Sequence, residues 1–121
     1  MHELAIACDL VELAEDAARA ADAKAVAVVH VRIGALSGVV PEALLLGCET
    51  AVKGTLLEGA RFIIEGVPAR AFCPICQRDI EPASLYDLRC PICASPIREL
   101  ITGREIELSS MEIIAHDHQT A

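Results

Sequence analysis

Tryptophan is absent from this chain, and one Tyr and two Phe are all its aromatics. A dense interior must therefore be built from Ala, Val, Leu and Ile, which suits a compact body of helices and strands. Basic residues are scarce too: ten Lys and Arg stand against eighteen Asp and Glu, for a net charge of −8. A small nucleic-acid binder normally carries a basic surface with stacking aromatics, so no nucleic-acid partner is expected. No apolar run is long enough to span a membrane, and the start has neither the basic end nor the apolar stretch of a secretory signal. A membrane partner is therefore not expected, and the cytosol is the expected compartment. Its reducing conditions favour thiols as metal ligands over disulfides. Internal repeats and low-complexity segments are missing as well.

What the chain does have is cysteine, six of them, four in a pattern. Cys73-Pro74-Ile75-Cys76 and Cys90-Pro91-Ile92-Cys93 are two knuckles separated by thirteen residues. Two cysteines at this spacing can place both sulfurs on one ion, and two knuckles complete a tetrahedral set. Four thiolates suit zinc or iron, and the spacing does not choose between them. Pro74 and Pro91 stiffen each knuckle by fixing φ just after its first cysteine. Four arginines from residue 69 to residue 103 balance four acids, so the net charge lies wholly in the flanking body.

Around that insert the periodicity predicts an α+β body. Residues 4–22 read as a helix, with Asp9, Glu12, Asp16 and Arg19 on a wet stripe. Leu4, Cys8, Val11, Ala14, Ala18 and Ala21 fall on the expected buried stripe, where Cys8 would be core packing. Residues 26–33 alternate as a strand that puts His30 on the less buried face rather than in a metal shell. A loop over 34–38 leads to Pro41 at a first helical position and a helix to about residue 53, with Leu45, Cys48 and Val52 on one face. Residues 61–66 give a second strand. Residues 104–114 give a third, whose rhythm breaks near Ser109-Ser110, as a bulge would produce. The expected architecture is a small three-stranded sheet covered by two helices, with an inserted four-cysteine zinc-ribbon module. The expected division is 1–68 for the first part of the body, 69–103 for the ribbon, and 104–121 for the last strand and a flexible tail.

The start, Met1-His2-Glu3, is the second unusual feature. The Met1 α-amine, the His2 amide nitrogen and the His2 imidazole can wrap one ion in fused chelate rings. Planar nitrogen-rich coordination suits Ni(II) or Cu(II). Glu3 could add its amide, its carboxylate or a supporting hydrogen bond.

Met1-His2-Glu3-Leu4, the run from Ile33 through Gly34, Ser37, Pro41 and Glu42 to Leu44, and the paired C-P-x-C knuckles together resemble the HypA/HybF family, nickel metallochaperones of hydrogenase maturation. The resemblance covers residue 1 to about residue 114. It implies a nickel-binding body with an inserted zinc ribbon and no catalysis of its own. It also implies nickel held through the Met1 α-amine, His2 and Glu3, and zinc held by Cys73, Cys76, Cys90 and Cys93. Implied partners are a GTP-hydrolysing nickel-insertion protein, the hydrogenase large subunit and, in some organisms, urease maturation factors. Val40 stands where family members often carry an acid, which puts an extra carboxylate ligand in question; Glu42 is nearby. His116 and His118 lie outside the resemblance, as a weak metal pair or a solvated tail.

Rival readings are a rubredoxin-like iron protein and a zinc-ribbon interaction module. The first usually has glycine after each knuckle, where Gln77 and Ala94 stand here. A zinc hydrolase needs an open coordination position, and four cysteines leave none.

Overall fold

The computed structural model describes residues 2–116 except 83 and 85. In chain order the elements are α1 (Glu3–Ala20), β1 (Ala23–Gly34), α2 (Pro41–Ala51), β2 (Arg61–Val67), β3 (Arg70–Cys73), β4 (Arg78–Ile80), β5 (Leu100–Thr102) and β6 (Ile106–Ala115). They form two three-stranded sheets, ordered β2-β1-β6 and β4-β3-β5. Two compact units result: Met1–Val31, Val39–Ile64 and Glu107–Ala121 in the first, Arg32–Gly38 and Glu65–Ile106 in the second.

In the first unit, α1 and α2 pack on each other. Ala7, Leu10, Val11, Ala14 and Ala18 are the buried residues of α1, at helical spacing. Val11, Ala14 and Ala18 are buried as expected, but Leu4, Cys8 and Ala21 are exposed, and Ala7 and Leu10 take the buried places instead. An alanine-rich helix is apolar on several sides, and the side that is buried is the one with the smallest residues at the crossing. There Gly47 of α2 meets Ala7: a Cβ added at Gly47 would stand 3.0 Å from the Ala7 Cβ and 3.2 Å from the Leu4 Cα. The buried residues of α2 are accordingly Leu44, Gly47 and Cys48, and Leu45 faces out. Cys48 is the small core residue expected; burial pushes its thiol up to about 11.

Two carboxylates of α1 tie down the chain around α2. The Glu15 Oε2 accepts the Leu56 N–H at 2.7 Å, and the Glu3 Oε2 accepts the Val40 N–H at 3.2 Å. Val40 is the N-cap of α2 and its side chain cannot cap; Ala43, three residues in, cannot reach back as a capping box would. Glu3 supplies that missing oxygen from α1. In β6 the half-buried residues Leu108 and Met111 are three apart, so the alternation breaks at Ser109-Ser110 as expected. The Ser109 hydroxyl donates to the His30 carbonyl at 3.1 Å. His30 itself is half-exposed, with its Nε2 3.5 Å from a Glu112 carboxylate oxygen.

The second unit holds the β4-β3-β5 sheet, whose strands of three or four residues are too short for periodicity to reveal. Antiparallel pairing sets Ala71 opposite Ile80 and Cys73 opposite Arg78. The segment 32–38 joins this unit through backbone bonds: Gly34 N–H to the Glu105 carbonyl at 2.7 Å, Leu36 N–H to that of Gly103 at 2.7 Å, and Ala35 N–H to that of Val67 at 2.8 Å. A Cβ on Gly34 would collide with the backbone of Gly103 and Arg104. Gly34→Ala should therefore destabilise this unit by on the order of 3 kcal/mol, since backbone cannot yield as a side-chain tip can. Thermal unfolding of the zinc-loaded variant checks it; an unchanged midpoint would rule out the close approach.

Candidate metal centre

Cys73 ends β3, and Cys76 follows through the first knuckle; Cys90 and Cys93 bracket the second. Both knuckles fold alike. The Gln77 N–H donates to the Cys73 carbonyl at 2.7 Å, and the Ala94 N–H to the Cys90 carbonyl at 2.8 Å. Gln77 and Ala94 take φ of 56° and 61°, the left-handed region that glycine enters more freely. The Gln77 amide donates back to the Pro74 carbonyl at 3.2 Å, closing its turn. A non-glycine residue after each knuckle thus reaches the same tight turn, and its presence does not distinguish zinc from iron.

The four sulfurs lie within 4.8 Å of one another. Cys73 and Cys93 Sγ are 3.5 Å apart, and Cys76 and Cys90 Sγ are 3.8 Å apart. Metal–sulfur bonds of about 2.3 Å in a tetrahedron require sulfur–sulfur edges of about 3.8 Å, so the set is close to what one four-thiolate ion needs. Cys73 and Cys90, 1% and 2% exposed, sit in an apolar cluster with Ala71 and Ile80. Cys93 is exposed and Cys76 half-buried. Thiol acidity splits accordingly. The Ser95 hydroxyl and backbone N–H stabilise the Cys93 thiolate and lower its pKa to about 6. The Cys76 thiol, crowded by the other sulfurs, is raised to about 12. A dication would relieve that crowding by taking the place of the shared protons.

At the other site, His2 is the N-cap of α1 with φ −88° and ψ 89°, exposed, its imidazole making no capping bond. Met1, with its α-amine, lies outside the described residues. Glu3 is oriented by Val40, and that bond is the first cause that holds its carboxyl below the ordinary 4.5. A carboxylate whose folded pKa is lowered stabilises the fold fully above its unfolded value, and the contribution is lost as pH falls through the folded value. The Val40 amide should therefore titrate with the Glu3 carboxyl in an acid NMR series. A Val40 shift that stays flat below pH 4.5 would show the bond is not formed.

His2, Glu3 and Leu4 line one side of an open groove of about 450 Å³, and Ala43, Leu46, Gly47 and Thr50 line the other. Glu42 is exposed in the first turn of α2, outside that lining. The His116 Nε2 lies 3.9 Å from an Asp22 carboxylate oxygen; His118 is outside the described residues.

Residues 1–113 match the sequence model of the family described as "Hydrogenase/urease nickel incorporation, metallochaperone, hypA". The chain belongs to the HypA family. Among curated HypA relatives, the hydrogenase maturation factor HypA of Roseiflexus sp. is 49% identical, over 93% of this chain and 91% of its own length. That of Picosynechococcus sp. is 43% identical, over 94% of this chain and all of its own. Among solved structures, the solution structure of the Ni metallochaperone HypA from Helicobacter pylori superposes with a TM-score of 0.68 at 27% identity, covering 96% of this chain and 100% of that one. As a member of the HypA family, the chain has the family's two helices, small sheets and four-cysteine cluster.

The part that Ser95 and the Val40 backbone play in these sites escaped the sequence reading. Ser95 carried a signal, a hydroxyl two residues after the last knuckle cysteine. Val40 acts through its backbone, and the hint was a helix start before Pro41 with no side chain able to cap it.

Proposed function

We propose that this chain is a nickel metallochaperone that binds Ni(II) through the Met1 α-amine, His2 and Glu3. It passes the ion to a GTP-hydrolysing partner and on to the hydrogenase large subunit, with urease maturation factors as further recipients. Membership of the HypA family supports the cargo and the destination. The observation that carries the ligand assignment is His2 itself: exposed at the head of α1, its imidazole uncommitted to capping, beside a Glu3 already oriented by Val40. A site at a chain end exchanges metal by peeling one ligand at a time, with no core to unfold. Protons compete for its amine, amide and imidazole nitrogens, so acidification weakens it.

In the same reading Cys73, Cys76, Cys90 and Cys93 hold a resident zinc. The ion would supply fixed geometry to a unit whose core is small, and four thiolates leave it no position for a substrate. The ribbon boundaries at 69–103, the absence of catalysis and a cytosolic location belong to this proposal. No helix among the described residues is long and apolar enough to cross a membrane. Nickel titration of the protein starting at Met1, beside a version extended before Met1, tests the site. Binding should vanish on extension; equal binding by both would place the nickel elsewhere.

A further inference from the structure

We infer that the groove beside His2 is a docking site for a basic amphipathic helix on the protein that receives the cargo, an inference that rests on the terminal-nickel reading. Its α2 wall, Ala43, Leu46, Gly47 and Thr50, follows the i, i+3, i+4, i+7 spacing of a single helix face. That stripe runs roughly 10 Å, about two turns of a partner helix. Gly47 makes the floor, because the absent Cβ lets α1 and α2 approach at Ala7 and Leu4. Leu4 and Leu46 rise from either side, 53% and 66% exposed, and Val40 is 52% exposed beside Glu3. Leucine-sized side chains presented in an open groove suit apolar anchors spaced at i and i+3 or i+4.

Charge names the rest of the occupant. Residues 32–38 and 65–106 hold six arginines and six carboxylates, so the whole net charge of −8 belongs to the first unit. No Lys or Arg occurs from residue 1 to residue 18 or in α2. Those stretches carry Glu3, Asp9, Glu12, Glu15 and Asp16 on α1 and Glu42 and Glu49 on α2. Glu42 and Glu49 are exposed, each one residue from the groove stripe. Lysines or arginines flanking the partner's apolar anchors would meet them at the rim, raising the association rate and fixing orientation. A second copy of this chain would bring the same carboxylates against these. An anionic membrane is opposed for the same reason. A strand is a poor fit, since two helices offer no unpaired backbone edge.

The probe is a synthetic 18-residue helix of leucine and lysine, with a leucine–glutamate helix as control, titrated into the full chain by fluorescence anisotropy and amide shift mapping. The lysine peptide should shift His2 to Leu4 and Ala43 to Thr50, and weaken with added salt. Leu46→Glu, at an exposed position that leaves the core intact, should weaken it at least tenfold. Shifts spread along α1 or falling on the second unit, equal binding of the glutamate peptide, or indifference to Leu46→Glu would each overturn the docking site. So would a dimer in sedimentation that Leu46→Glu breaks, which would give the groove to a second copy. Nickel titration of the same samples separates the two readings. Peptide binding without terminal nickel keeps the groove and removes the cargo site; terminal nickel without mapped peptide binding does the reverse.

Discussion

Cys73→Ser or Cys90→Ser should yield a protein that holds no zinc at neutral pH and whose second unit loses its amide dispersion while the first keeps its own. The expected effect is the largest in the molecule. Structural zinc in small thiolate sites contributes about 10–16 kcal/mol of apparent binding energy at neutral pH, and that energy is folding energy. These two cysteines are also the buried pair, packed with Ala71 and Ile80 and bordered by Ile97 and Leu100. A hydroxyl in place of sulfur thus removes both a ligand and part of this apolar cluster. Cys93→Ser, at the exposed position, should be milder and leave weak zinc binding. Zinc content and a heteronuclear NMR spectrum decide the matter. A Cys90→Ser protein with stoichiometric zinc and an unchanged spectrum would refute the four-cysteine site.

His2→Ala should abolish the tight nickel site and leave zinc and both units as they are. The imidazole closes the second chelate ring, so its loss leaves an amine and amide nitrogens that a solvated Ni(II) has little reason to prefer over water. Because His2 is exposed and makes no capping bond, the fold has no stake in its side chain. The variant should lose the planar Ni(II) absorption band, and its affinity should fall by a hundredfold or more, the scale for removing a direct ligand (about 3 kcal/mol). A variant that bound one nickel with the wild-type band and affinity would move the site away from the terminus.

Much of this was legible in one dimension because the governing constraints are local. Knuckle spacing is set by the reach of three peptide units, and the Cys73 to Cys93 set needed no tertiary knowledge. The strand at Val29, Val31 and Ile33 showed itself by alternation. Helix phase was harder. Ala7 and Cys8 are both small and apolar, and only the crossing with Gly47, forty residues away, decides which is buried. Leu44 and Leu45 pose the same ambiguity in α2, and the same crossing resolves it. The segment 32–38 read as the end of a strand and a plain loop over 34–38, yet its allegiance to the second unit depends on Gly34 fitting against Gly103, a contact with no trace in spacing. Glu3 was legible only as a residue serving the metal, as ligand or through a supporting hydrogen bond, because nothing nearby in sequence announces a partner thirty-seven residues on.

In the proposed terminal site, that last contact would tie metal chemistry to helix integrity. A carboxylate has two oxygens, and at Glu3 the Oε2 is occupied by the Val40 N–H. An ion that accepts only the other oxygen can arrive and depart with α2 still capped. An ion that demands both must first strip the cap, and α2 would feel its coming. In the proposed terminal site, that one side chain would serve both a helix end and the cargo ion, and the denticity of the metal would decide which it serves.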